Sequence, residues 1–286
     1  MMMKKEKSML LLSMVIFGTI GLLRRYIPCS SGFLALTRAV IGAVFLLILV
    51  RMKKQKPNLT AIRKNGLLLI LSGAALGFNW IFLFESYNHT SVATATVCYY
   101  LAPILVILLC PILFREKLTR RQRIGAICAM AGLIAVSGLP DAGLPGWEEW
   151  KGICFGLAAA VLYACVMILN KKLRSIGPYD KTISQLFLAA AVMLPYVLLT
   201  ESPGQTGLSI QTLPLLLVAG IVHTGIAYWL YFGSMDHLPS HSVALLSYID
   251  PVLAIFLSVL LLQEPMSLSA AIGAVMILGA AYISEI

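Results

Sequence analysis

Charge is what this 286-residue sequence has least of. Asp, Glu, Lys and Arg make up 12% of it, against 59% apolar residues and a mean hydropathy of +0.90. A soluble domain carries about twice that share of charge, so the scarcity excludes a soluble globule, a coiled coil and a disordered chain. An all-α integral membrane protein remains. Cysteine spacing is equally uninformative of chemistry. Cys98, Cys110, Cys128, Cys154 and Cys165 lie within apolar runs, Cys29 sits at the edge of one, and no CxxC pair occurs. That excludes a disulfide framework and a zinc site by spacing, and leaves small buried hydrophobes. A GxSG nucleophile and an HExxH metal motif are both missing, and Asp250 has no acidic companion at its depth. No enzyme and no cofactor is expected.

What the sequence has is long apolar runs. About 20 such residues cross a bilayer as a helix. Ten candidates stand between charge clusters and turns: 8–23, 31–50, 66–87, 91–114, 121–138, 151–170, 179–199, 211–233, 240–262 and 267–284. The first follows Lys4, Lys5 and Lys7 like a signal peptide, but no small-residue cleavage site follows it, so it reads as a true span. The net charge of +10 raises nucleic acid as a partner, but the basic residues sit in short gaps between spans. With the N-terminus inside, four groups fall on the cytoplasmic side: Lys4–Lys7, Arg51–Lys64, Arg115–Arg123 and Lys171–Lys181. Only Arg24, Arg25 and Lys151 fall outside, with the acidic loop from Asp141 to Glu149. This is the basic-inside pattern, so both termini are expected in the cytoplasm, a bacterial plasma membrane is the expected home, and nucleic acid is not a partner.

The two halves resemble each other. Tyr100-x-x-Pro103, Glu116 and Ile124-Gly125-Ala126 recur as Tyr248-x-x-Pro251, Glu264 and Ile272-Gly273-Ala274, each 148 positions later. Gly77, Phe84, Ser86 and His89 match Gly225, Phe232, Ser234 and His237 at the same offset. Earlier in each half the offset is 147, as in Arg24-Arg25 against Lys171-Lys172. A unit of five spans is odd in number, so its second copy enters from the opposite side. Inverted repeats of this kind build many secondary transporters. The expected architecture is ten transmembrane helices as two inverted five-helix repeats, 8–138 and 151–286.

With its Pro in the fourth span of each repeat and Glu then Gly around the fifth, the chain resembles the EamA-domain type of the drug/metabolite transporter superfamily, over essentially its whole length. The resemblance implies export of amino acids or other small metabolites, though some members import sugars, nucleotide sugars or choline. It also implies a central cavity lined by the first, third and fourth spans of each repeat. The fifth and tenth spans would serve packing or dimerisation, leaving a monomer or a homodimer.

Polar residues inside spans identify the candidate site, because a charge near the bilayer centre costs about 2.5–3.5 kcal/mol even on lenient scales. Asp250 lies mid-span in the ninth helix, ahead of Pro251, where a kinked turn suits cation binding or proton carriage. The alternative is a structural contact to Arg38 or His223. Arg38 in the second span would fork a substrate carboxylate, or pair with Glu85 or Asp250 as structural glue. Glu85 lies near the outer end of the third span and joins Asp250 as a coupling-ion candidate. His223 is a proton shuttle or a packing residue. Asn79, Trp80, Tyr99 and Tyr248, with Tyr100, supply polar and aromatic groups for stacking or cation–π contact. Glu116 and Glu264 read as loop caps, while Pro103, Pro111, Pro195 and Pro251 interrupt helices. The sequence-level expectation is a secondary transporter of zwitterions such as amino acids, with proton coupling and alternating access. An organic-cation transporter is the rival.

Overall fold

Apolar runs without glycine–proline breakers form helices here because only a helix satisfies every backbone group internally in hydrocarbon. The computed structural model describes residues 2–20, 23, 26–90, 95, 98–115, 117–136, 146–201, 209–235, 237–262 and 268–285. The helices are α1 (Met2–Gly18), α2 (Ser31–Met52), α3 (Leu59–Lys64), α4 (Gly66–His89), α5 (Leu101–Leu113), α6 (Arg120–Val136) and α7 (Trp147–Lys172). They continue with α8 (Pro178–Thr200) and α9 (Leu213–Gly220), which runs through a π-helical turn, Ile221–Ile226, into α10 (Ala227–Met235). The chain ends in α11 (Ser240–Leu246), α12 (Ile249–Leu262) and α13 (Leu268–Glu285).

Among the described residues, five stretches are long and apolar enough to cross a membrane: α2, α4, α7, α8 and the run from Leu213 to Met235. Among the described residues, the other five expected spans coincide with helices that are shorter or bordered by undescribed residues. Those are α1 and α6 of 17 residues each, α5 of 13, the α11–α12 pair and α13 of 18. Arg24, Arg25, Asp141, Glu116 and Glu264 lie outside the described residues.

Two of the four prolines do something other than interrupt a helix. Pro111 and Pro195 lie inside α5 and α8, as expected. Pro103 and Pro251 instead fall in the first turns of α5 and α12, just after turns at Tyr100 and at Ser247–Tyr248. The first turn of a helix has no use for the missing N–H, so these prolines start helices. Asp250 therefore sits at a helix beginning.

Helices approach closely where glycine removes the side chain. Long contacts join α4 with α7, α6 with α13, and α2 and α4 with α8. α1 packs on α10 and α12, as α7 packs on α4 and α5. A Cβ at Gly220 would lie 2.4 Å from Ile41 Cβ, and one at Gly132 in α6 would lie 2.7 Å from the Gly273 carbonyl oxygen in α13. A Cβ at Gly279, also on α13, would meet nothing within 4 Å. Thermal unfolding in detergent should therefore separate two variants of the α6–α13 pair: Gly132→Ala is expected to destabilise by about 1–3 kcal/mol through overpacking, and Gly279→Ala is not.

Candidate functional site

Arg38 projects from α2 about a third of the way along it and is 7% exposed. Its Nε donates to Thr224 Oγ1 at 3.1 Å, and its guanidinium carbon lies 5.1 Å from the centre of the Trp80 ring. Among the described residues no carboxylate forms an ion pair with it. Neither structural pairing expected for it, with Glu85 or with Asp250, is found.

From Arg38 an aromatic series runs across the bundle. Trp80 Nε1 donates to the Tyr228 hydroxyl at 3.2 Å, with the rings edge-on at 5.7 Å. Phe17 of α1 bridges Tyr228 and Tyr231 with ring centres at 5.0 and 5.9 Å. The Tyr163 hydroxyl donates to that of Tyr231 at 3.0 Å. Tyr163 also stacks on Tyr99 at 5.2 Å, and Tyr99 meets Tyr100 edge-on at 5.5 Å. At the far end the Tyr248 hydroxyl donates to the Tyr100 carbonyl at 2.9 Å, and the Tyr100 hydroxyl hydrogen-bonds the Asp250 carboxylate. Asp250 is half-buried, whereas Tyr231 and Tyr248 are fully buried. Aromatic pairs of this kind add about 0.5–1.5 kcal/mol each beyond their buried area.

Asn79 is fully buried in α4, donates to the Ala159 carbonyl at 2.7 Å and accepts from the Tyr99 hydroxyl at 3.4 Å. His223 lies in the π-helical turn, a departure from α geometry common at functional sites. Its Nε2 is 2.8 Å from Thr19 Oγ1, and the Thr19 hydroxyl lies 2.7 Å from the Ile16 carbonyl. The His223 Nδ1 lies 3.4 Å from the Val218 carbonyl, which only accepts, so a neutral imidazole donates either there or to Thr19, and in the first case the Thr19 hydroxyl donates to Nε2. Thus Arg38, Trp80, Asn79, Tyr99, Tyr248, Asp250 and His223 belong to one connected region.

Glu85 stands apart. It lines a cavity of about 380 Å³ at one end of the bundle with Ser30, Asn88, Tyr196 and Glu201. Its carboxylate accepts from the Tyr196 hydroxyl at 2.5 Å and from Asn88 at 3.4 Å. Glu201 caps the start of α2 from across the cavity, accepting from the Ser30 hydroxyl and from the backbone N–H of Gly32 at 3.0 Å and Phe33 at 3.1 Å. A carboxylate suits the positive end of a helix dipole. At the opposite end of the bundle Lys171 Nζ donates to the carbonyls of Met235, at 3.1 Å, and Leu238. Lys181, counted from the sequence with the cytoplasmic basic group at the start of the 179–199 span, is fully buried.

Sequence reasoning passed over Phe17, Thr19, Tyr163, Thr224, Tyr231 and Glu201. Tyr163 and Tyr231 carried a usable signal, because both lie well inside apolar runs. A phenylalanine in such a run carries none, and Glu201 lies just beyond its span.

The profile of the EamA-like transporter family matches this chain twice, over residues 5–138 and 150–285. An uncharacterized transporter of Bacillus subtilis, YxxF, is 30% identical over 268 residues, covering 94% of this chain and 85% of that protein. The protein PecM of Dickeya dadantii is 25% identical, with 91% of this chain and 85% of that protein covered. A crystal structure superposes with a TM-score of 0.85 at 19% identity, covering 98% of this chain and 96% of that one, a likeness of fold alone. By its two profile matches the chain belongs to the EamA-like transporter family of the drug/metabolite transporter superfamily, and is a multi-pass membrane transporter.

Proposed function

We propose that this protein carries a small zwitterion, an amino acid or a close relative, across the plasma membrane by alternating access. The moving parts are two inverted five-helix repeats, 8–138 and 151–286, with both termini in the cytoplasm. Export is the direction the family resemblance implies. The observation that carries the substrate class is Arg38: a guanidinium buried about a third of the way along α2 with one hydrogen bond to Thr224 and no acid beside it among the described residues. An ion in that position has a strong demand for a bidentate anion, which a substrate carboxylate meets. Asp250, bonded to Tyr100 and close to Tyr228 and Tyr231, supplies the complementary site for an ammonium group.

Two contacts support the inverted repeat. Trp80 bonds Tyr228, and Tyr248 bonds Tyr100, and each pair is 148 positions apart. Copies related by a two-fold rotation bring equivalent residues face to face only near the axis. On this reading the axis passes through the aromatic series. The cavity at Glu85 and Glu201 opens on the outer side, and the Lys171 contact with the Met235 and Leu238 carbonyls closes the inner side.

The rival substrate, an organic cation, is favoured by the tyrosines around Asp250, since aromatic faces hold cations. Ligand stabilisation of the detergent-purified protein separates the two. Arg38→Gln and Asp250→Asn are each expected to weaken amino-acid binding by about 10- to 100-fold, the loss of one charged hydrogen-bonded contact. Binding of cations alone, lost in Asp250→Asn and kept in Arg38→Gln, would replace the zwitterion reading. For the topology, Asn88→Cys is expected to react with a membrane-impermeant thiol reagent added to intact cells, and Lys54→Cys only after permeabilisation. The reverse pattern would invert the orientation.

A further inference from the structure

Three consecutive residues of α1 and its C-terminal edge touch the site on three sides, none of them named by the sequence although their span was expected to line the cavity. The Phe17 ring packs edge-on against Tyr228 and Tyr231. Gly18 ends α1 so close to α12 that a Cβ on it would lie 2.9 Å from the Asp250 carbonyl oxygen and 3.1 Å from Leu253 Cβ. Thr19 holds His223 at 2.8 Å. The contacts of Gly18 and Thr19 fix where the neighbouring ring of Phe17 lies.

That ring takes up room which a substrate needs. Tyr228 is linked to both charges: it accepts from Trp80, over whose ring Arg38 lies, and it packs on Phe17, whose neighbour Gly18 abuts the Asp250 carbonyl. A zwitterion with its carboxylate on Arg38 and its ammonium toward Asp250 therefore presents its side chain close to Tyr228, on which Phe17 also packs. We infer that Phe17 is a specificity-determining residue that limits the size of the transported side chain, an inference that rests on the zwitterion reading above.

The limit acts at closure. To occlude the site, α1 must return Gly18 to the Asp250 carbonyl and Thr19 to His223, and Phe17 travels with them. A small side chain, such as a hydrogen or a methyl, leaves the ring its place between Tyr228 and Tyr231. A large one competes for that place and props α1 away from α12. Large zwitterions thus bind and are not carried, a split between affinity and turnover that a purely structural role for Phe17 does not produce.

The test uses the full-length protein in proteoliposomes with radiolabelled glycine, alanine, leucine and tryptophan, measuring binding and counterflow for wild type and Phe17→Ala. Wild-type counterflow should fall with side-chain size more steeply than binding does. Phe17→Ala should raise the tryptophan-to-glycine counterflow ratio by at least about tenfold, the scale at which pocket volume discriminates apolar groups. Phe17→Leu, which keeps much of the packing volume and loses the ring, should give an intermediate ratio and serves if the alanine variant does not fold. An unchanged ratio in whichever variant folds overturns the size limit while leaving the zwitterion reading intact. If wild type neither binds nor carries any of the four, the zwitterion reading itself fails, and the size limit falls with it.

Discussion

Inside hydrocarbon a polar group has no water to bond, so each one within this bundle must be answered by another part of the chain. Most are answered by backbone carbonyls. Ser13, Thr37 and Ser247 turn back on their own helices, to Leu10, Phe33 and Val243. Others use the same bond to join helices: Asn79 reaches Ala159, Ser86 reaches Gly152, and Gln185 reaches the Ser72 hydroxyl. A buried donor left alone would cost about 1–3 kcal/mol, more than the net gain of making the bond, so the partners fix which faces meet. The α4–α7 contact shows it, with Asn79 and Ser86 on one face opposite Gly152 and Gly156. A few buried atoms escape this rule, Trp229 Nε1 and Gln185 Oε1 among them, and Arg38 is the charged case, with a hydroxyl and a ring for company where an acid is wanted.

That exception has a counterpart in the other repeat. Gln185 stands opposite Arg38 in the alignment and bonds Ser72 of α4, much as Arg38 bonds Thr224 beyond α9. The same polar bridge thus recurs between equivalent helices, once neutral and once charged. Asp250 against Ala102 and Asn79 against Ala227 break the likeness further. Near a two-fold axis a symmetric lining would recognise a substrate equally in two orientations. In the proposed inverted arrangement, residues that differ between the copies would give the site a direction, Arg38 and Asp250 being the charged ones.

Much of this was legible in the sequence because repetition is a one-dimensional signal. The 148-residue spacing that relates Trp80 to Tyr228 and Tyr100 to Tyr248 also describes residues that touch. Rarity made Arg38, Asp250, His223 and Asn79 visible, since polar groups stand out in an apolar run. The same contrast hides Phe17 and Gly18, which differ little from their neighbours until the neighbouring helices are in place. It misplaces Lys181, whose charge reads as solvated while its side chain is fully buried. Hydropathy also misjudges Pro251. That residue is mid-span by counting, yet it starts α12, because the turn at Ser247–Tyr248 leaves no trace in an apolar run.

The change in offset from 147 to 148 has a structural location. Gly66 begins α4 and Leu213 begins α9, 147 positions apart, while Gly77 and Gly225 within the same pair of helices are 148 apart. The second copy therefore has one more residue between Lys172 and Gly225 than the first has between Arg25 and Gly77. The π-helical turn Ile221–Ile226 falls at the end of that interval, and α4 has no such turn. A π turn accommodates an extra residue by widening the hydrogen-bond ring, so the helix continues with its later residues rotated relative to its earlier ones. Thr224 Oγ1 accordingly reaches back five residues, to the Ala219 carbonyl at 2.9 Å. In doing so the turn presents Thr224 to Arg38 and His223 to Thr19. The turn thus sets the local geometry of both contacts, one of which, the bridge to Arg38, answers the neutral Gln185–Ser72 bridge of the other copy.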